Sequence, residues 1–258
     1  MDTGAGYLLV DAGLSAKQLV LRMALLGVAP EDLCGILLTH EHGDHVKGLE
    51  VFARKHEVPV YVTALTREVL ARKVTSVKEW KLFAAGQEFE VAGLQVTSFA
   101  VPHDAVDPVG FVFQKEGVRT GLVTDLGHVS TKVTSMLDGV SALVLESNYC
   151  DRLLEEDEKR PWSLKQRISS RHGHLSNAQS CALAGDLVAG GLERVILGHL
   201  SRDCNTAQVA AGVFEPLNLQ EVQVASQTEV TGWMRTEKPE SAVTVAEDVS
   251  GQEMLELF

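Results

Sequence analysis

The densest chemistry in the chain lies in one short run, Leu37-Leu38-Thr39-His40-Glu41-His42-Gly43-Asp44-His45. Imidazole nitrogen and carboxylate oxygen are the donors that divalent cations take at neutral pH. His40 and His42 stand two apart, so an extended chain presents both on one face. Gly43 allows a sharp turn of the backbone. Asp44 and His45 then fall at a helix start, from where they can serve a second ion beside the first. A solvated polar loop is the alternative use of such residues, but the arrangement of three histidines and one aspartate after an apolar strand favours ligation. The run predicts a two-metal hydrolase.

The elements that must position these residues alternate between strand and helix. Residues 7–11 form an apolar run ending in a carboxylate, Asp11. Ser15 is placed to cap a helix with Leu19, Met23 and Leu26 on one face, closed by Gly27. Residues 34–39 read as a strand feeding the histidine run, residues 44–55 as one helix, and residues 58–62 as the next strand. Two hairpins follow: Glu88–Val91 with residues 94–99 around Ala92-Gly93, and residues 109–114 with 119–124 around Glu116-Gly117. The pattern then predicts strand Ala142–Glu146, helix Asn177–Val188, strand 194–197 and helix 206–214. A last hairpin is expected from residues 221–226 and 229–233. There is no internal repeat at motif level and no low-complexity block.

Composition sets the bounds. The chain has 258 residues, 45% hydrophobic and 22% charged, enough for one large α/β domain with a buried core. No apolar run reaches the length of a membrane-spanning helix, and the start carries no secretory pattern. Cys34, Cys150, Cys181 and Cys204 are scattered without a CxxC pair, which predicts reduced thiols in a cytoplasmic protein. The net charge is -12, which argues against indiscriminate DNA binding but not against a local basic groove. Residues 1–235 are expected to form the catalytic domain. Residues 236–258, polar and acidic, are expected to form a mobile tail.

His-x-His-x-Asp-His after an apolar strand and a threonine resembles the signature of the metallo-β-lactamase-fold hydrolases. Further motifs follow in register: Asp11 in Val10-Asp11-Ala12-Gly13, His103 in Val101-Pro102-His103-Asp104, Asp125 in Thr124-Asp125-Leu126-Gly127, and His199 in Gly198-His199-Leu200-Ser201. The resemblance implies an α/β chain in the αββα arrangement, with two mixed sheets packed face to face and helices outside. It implies two divalent ions, Zn²⁺ or Mn²⁺. One would be held by His40, His42 and His103, the other by Asp44, His45 and His199, with Asp125 bridging. Asp11 would orient a ligand imidazole.

Longer phrases narrow the branch. Leu145-Glu146-Ser147-Asn148, Pro161-Trp162-Ser163-Leu164-Lys165-Gln166-Arg167-Ile168 and Gly173-His174-Leu175-Ser176-Asn177 look like the YycJ/WalJ-type subgroup. That subgroup is related to tRNase Z and linked to 5′-to-3′ DNA exonuclease activity and to DNA repair. Its members normally open with a further strand and a Gly/Ser-rich turn, whereas this chain starts at about the following strand. They often carry His-Asp after Glu-Ser-Asn, where this chain has Tyr149-Cys150-Asp151, so no site role is carried over to position 149.

Residues 159–172 carry Lys159, Arg160, Lys165, Arg167 and Arg171, no acid, and Trp162. Such a run suits a phosphate backbone and one stacked base, and equally a solvated helix face. Lys165, Arg167 and Arg171 are therefore candidate substrate contacts, with Asn148, Asn177 and Ser201 as weaker ones. The expected chemistry is phosphodiester hydrolysis by a water activated between two ions, with Asp44 in the catalytic set and His174 assisting the leaving group. A small-molecule phosphodiester or thioester hydrolase, an RNA-processing nuclease, and a non-catalytic adaptor are the rival readings. The last residues, Met254-Leu255-Glu256-Leu257-Phe258, resemble peptides that dock on the DNA polymerase sliding clamp, so Met254, Leu255, Leu257 and Phe258 are a candidate clamp motif.

Overall fold

The computed structural model describes residues 1–236. Strands β1 (Tyr7–Val10), β2 (Leu33–Leu37), β3 (Val60–Thr63) and β4 (Trp80–Phe83) make a four-stranded sheet in chain order, parallel throughout. The second sheet has seven strands, again in chain order. They are β5 (Glu88–Val91), β6 (Leu94–Ala100), β7 (Val109–Lys115), β8 (Val118–Val123), β9 (Ala142–Glu146), β10 (Arg194–Gly198) and β11 (Glu221–Val224). It is antiparallel from β5 to β8 and parallel from β8 to β11. Both hairpin turns carry two successive left-handed residues, Ala92-Gly93 and Glu116-Gly117, as the twist of tight hairpins requires.

The helices are α1 (Ala16–Leu25), α2 (Gly43–Val46), α3 (Leu49–Lys55), α4 (Ala64–Leu70), α5 (Thr131–Leu137), α6 (Asp151–Glu156), α7 (Trp162–Ile168), α8 (Asn177–Val188) and α9 (Ala207–Phe214). Hydroxyl caps set several starts: Ser15, Thr63, Ser130, Ser176 and Thr206 each accept from a backbone N–H of the first turn.

Strand alternation sorts the apolar residues into three layers. Ile36, Val60 and Val62 face outward from the first sheet onto Leu19 and Met23 of α1 and Phe52 of α3. Leu8 and Leu37 face inward and meet Phe111 and Phe113 of the second sheet. Val112, Val123 and Leu145 face the other way, onto Leu137 of α5, Leu183 of α8 and Phe214 of α9. The result is helices, sheet, sheet, helices: an αββα sandwich.

Two expectations are corrected. Residues 44–55 are not one helix but α2 and α3, parted at Gly48. The Gly48 N–H leaves the helical ladder and donates to the Ala12 carbonyl (2.8 Å), and a Cβ there would stand 2.1 Å from the carbonyl oxygen of Leu14, so the close approach of residues 12–14 requires glycine at the break. Residues 221–226 and 229–233 do not pair as a hairpin. β11 is parallel to β10, and residues 225–236 run on as a strap. Arg22 Nη2 donates to the Gln227 carbonyl (2.9 Å), and Trp233 Nε1 donates to the Leu26 carbonyl (3.2 Å). The Trp233 ring lies against Tyr7, centroids 5.6 Å apart. These partners of α1 and β1 replace a strand neighbour. Beyond Thr236, the expected acidic tail and the segment with Met254, Leu255, Leu257 and Phe258 lie outside the described residues. No helix among the described residues is long and apolar enough to cross a membrane.

Candidate metal centre

Ligand-type side chains gather where strands end. Asp11 follows β1, the histidine run follows β2, His103 follows β6, Asp125 follows β8, Glu146 ends β9 and His199 follows β10. The two sheets therefore contribute from opposite sides. Four groups of donor atoms lie within 4.8 Å of one another: His40/His42/His103, His40/His45/Asp125, Asp44/His45/His199, and Asp125/Glu146/His174/His199. Asp11, Asp125 and His199 all have left-handed backbones, at φ 59°, 55° and 57°. For non-glycine residues this conformation costs about 1–2 kcal/mol each, and such strain concentrates at functional sites.

The hydrogen bonds fix which ring nitrogen faces the centre. Thr39 Oγ1 donates to Asp11 Oδ2 (2.7 Å), so it accepts from His40 Nδ1 (2.9 Å). His103 Nδ1 donates to the Gly173 carbonyl (3.0 Å). His45 Nδ1 is held by Asp11 Oδ2 (2.7 Å), and His199 Nδ1 by Glu146 Oε1 (2.7 Å). Each of these four imidazoles thus turns Nε2 inward with its other nitrogen anchored to oxygen, as ligating histidines require. His103 Nε2 lies 3.4 Å from His42 Nδ1. His45 Nε2 lies 3.1 Å from Asp125 Oδ2, and His199 Nε2 lies 3.5 Å from Asp44 Oδ2.

His40 Nε2 is buried and makes no hydrogen bond, and among the described residues the buried Asp125 Oδ2 has only the His45 Nε2 contact. Orphaned buried acceptors are costly, and a cation satisfies both, so the residues fit one or more divalent ions.

The same contacts set the protonation. Burial above all, with the neighbouring His45 charge, pushes His40 down to about 3. Burial also lowers His103. For His45 burial works in the same direction, but the Asp11 charge and hydrogen bond outweigh it and raise the group to about 10. His199 is likewise raised against burial, by the Asp125 charge and its bonds to Asp44 and Glu146. The hydrogen bond to His199 leads in holding Asp44 low.

Glu146 was not singled out by its residue type in the sequence. It is fully buried. Its Oε1 accepts from His174 Nδ1 (2.8 Å) and from His199; its Oε2 accepts the backbone N–H of Leu126 (2.9 Å) and Leu175 (3.1 Å). The signal in the sequence is an apolar strand ending in an acid, the same pattern as at Asp11. His174 sits beside the centre, 5.3 Å from the His103 ring and 5.2 Å from the His199 ring.

The candidate substrate residues divide. Asn177 is buried, and its amide is used up: Oδ1 accepts from Ser147 Oγ (2.6 Å), and the side chain forms a reciprocal pair with Asn205. It is a structural bond, not a substrate contact. Asn148 Nδ2 donates to the His199 carbonyl (2.7 Å) and so holds the strained ligand segment. The Ser201 N–H donates to the Asn148 carbonyl (2.7 Å), and its hydroxyl accepts from Cys204 N–H (3.2 Å).

Arg167 is paired to Asp104, with Nε 2.8 Å from Oδ2. Arg160 and Lys159 are paired to Asp157 and Asp203. Lys165 Nζ donates to the Glu155 carbonyl (2.7 Å) and Arg171 Nη2 to His128 Nε2 (2.8 Å), so these two keep charge that no carboxylate matches among the described residues. Trp162 is 68% exposed, on the face of α7 opposite the one that Leu164, Arg167 and Ile168 turn to the centre. Tyr149 is buried against Leu154 and Cys204.

A sequence profile described as the beta-lactamase superfamily domain matches residues 7–200. The chain is 36% identical over 214 residues to exodeoxyribonuclease YycJ of Bacillus anthracis, covering 81% of this chain and 80% of that protein. This chain is a member of the metallo-β-lactamase superfamily, in its YycJ/WalJ-like subgroup. It is 34% identical to exodeoxyribonuclease WalJ of Streptococcus pneumoniae, over 81% of this chain and 79% of the relative. The crystal structure of zinc-bound PqqB from Methylobacterium extorquens has the same fold, with a TM-score of 0.68 at 19% identity, covering 86% of this chain and 82% of that one. As a member of the superfamily the chain is a hydrolase, and its His/Asp/Glu groups are able to hold divalent metal.

Proposed function

We propose that this hydrolase is a two-metal phosphodiesterase that degrades DNA from a strand end. The observation that carries the reading is the pair of donor sets, His40/His42/His103 and Asp44/His45/His199, with Asp125 between them and orphaned atoms in the shared wall. The similarity to two proteins named as exodeoxyribonucleases supports DNA as the substrate. Two ions, zinc or manganese, would lower the pKa of a water shared between them and offset charge on the phosphate.

The chain's own residues have the following parts. Asp125 and Asp44 supply carboxylates, and Asp11 keeps the His45 ring in register. Glu146 holds His174 by Nδ1, which leaves Nε2 to deliver a proton to the leaving oxygen. Lys165 and Arg171 are available to backbone phosphates. All four cysteines are unpaired, which supports a reducing, cytoplasmic setting. The segment with Met254, Leu255, Leu257 and Phe258 serves as a sliding-clamp peptide in this reading; its deletion should abolish clamp binding in a titration.

The deciding experiment is a matrix of Zn²⁺ and Mn²⁺ against end-labelled single-stranded DNA, double-stranded DNA and RNA. Asp44→Ala is expected to lose about a hundredfold or more in rate, the scale set by removing one charged participant. Label release from one end only would give the direction, expected to be 5′ to 3′. Failure of the wild type to cleave any nucleic acid with either ion would sink the nuclease reading.

A further inference from the structure

The cavity around the ligands is too small for more than the reacting phosphate and its neighbours. Lined by His42, His103, Asp125 and His174 among others, it holds about 210 Å³, below the roughly 300–1,000 Å³ of ordinary small-molecule sites. A polynucleotide must leave it on at least one side. Toward α7, Arg167 is already committed to Asp104.

On the other side a groove of about 1050 Å³ opens between α1, α2 and α4. The two spaces are neighbours that share lining residues. Asp44 and His199 line both the metal cavity and a hollow that contains Leu14 and Arg202. That hollow shares Leu14, Asp44 and Arg202 with the groove. Lys47 and Lys73 line the groove and are exposed, and neither side chain forms an ion pair or hydrogen bond among the described residues. Among the described residues, the Arg22 and Arg202 guanidiniums meet only neutral acceptors of Gln227 and Thr228.

The groove also carries acids, each tied to neighbours on its own side: Glu50 accepts from Thr75 and Ser76, Glu41 Oε1 accepts from Val106 N–H, and Asp11 and Asp44 belong to the ligand network. Leu14 and Val69 add exposed aliphatic wall. Lysines free of ion pairs among the described residues, beside apolar wall and next to the proposed phosphate-cleaving centre, complement a single strand.

We propose that this groove binds the polynucleotide strand on the side of the scissile phosphate away from α7, with phosphates on Lys47 and Lys73. The proposal rests on the nuclease reading above. Its test compares Lys47→Ala/Lys73→Ala with Lys165→Ala/Arg171→Ala, using a fluorescein-labelled phosphorothioate oligothymidylate in an anisotropy titration.

The groove variant is expected to bind at least about tenfold more weakly, with its salt slope reduced by about 1.4, the value for two single-strand phosphates at about 0.7 each. It should also lose more rate on oligonucleotide than on bis(p-nitrophenyl) phosphate. Binding and cleavage equal to the wild type would overturn the groove assignment, as would a loss confined to the α7 variant while the wild type still degrades DNA. A wild type that neither binds nor cleaves nucleic acid overturns the nuclease reading itself, and the groove proposal with it.

Discussion

Thr39 is the smallest group with the widest reach. Its hydroxyl meets Asp11 and His40 Nδ1, and lies 3.3 Å from His45 Nδ1, so one side chain orients imidazoles of both donor sets. Thr39→Val keeps the shape and removes the bonds. It is expected to weaken metal binding by about 10–100-fold, the usual effect of losing a partner behind a ligand, read by competition with a chromogenic chelator. The two sets also differ in protonation. His40 and His103 are neutral near pH 7, whereas His45, at about 10, is charged until an ion arrives. A ligand must give up its proton to bind. Coordination by His40 and His103 should therefore release few protons. Loading of the Asp44/His45/His199 set should release them, with affinity that climbs as pH rises toward about 10. Calorimetric titration in buffers of different ionisation enthalpy measures this; equal proton release at both steps would refute it.

At the scale of elements, the placement of Asp44 depends on a backbone approach. A Cβ on Gly13 would stand 1.5 Å from the Asp44 carbonyl oxygen. Gly13→Ala must push the first turn of α2 away, and is expected to reduce bound metal per chain as well as stability, by about 1–3 kcal/mol as overpacking does. Gly43→Ala, with open space around it, serves as the control. This dependence explains what was legible in the sequence. Strand ends carrying Asp11 and His40 are legible because short continuous apolar runs stop at polar residues, and His199 is legible only through the resemblance motif Gly198-His199-Leu200-Ser201. The hairpins were legible from Ala92-Gly93 and Glu116-Gly117. The break at Gly48 was not, because only the distant Leu14 carbonyl forbids a side chain there. The neutralised part of the basic run was partly hidden: Arg167 finds Asp104 from far along the chain, whereas Arg160 also pairs with nearby Asp157. Glu146 was hidden because a buried acid is recognised by the two histidines it holds, not by its neighbours in sequence.

At the scale of the whole molecule, the strap over residues 225–236 ties β11 of the second sheet to α1 and β1 of the first. Trp233→Ala removes its ring contact with Tyr7 and its bond to Leu26. With Trp233 47% exposed, a loss of about 1–2 kcal/mol is expected in urea unfolding. The αββα class followed from the motif order, but the strap did not, because residues 229–233 have a strand-like pattern and no strand partner.

The division of ligands between the two sheets has a mechanical side. His40, His42, Asp44 and His45 hang from the first sheet; His103, Asp125 and His199 hang from the second. Each donor set straddles the sandwich, so an ion in either set works as a rivet between its halves. Histidines and aspartate from residues 40–45 alone could hold metal in an unfolded chain, but only weakly, whereas the full sets exist only when the sheets have closed. Metal at a hundredfold over its dissociation constant should then add about 2.7 kcal/mol to unfolding. A chelator would do more than silence the enzyme: hydrogen exchange should quicken along the seam where Leu37 meets Phe111, as the halves begin to part.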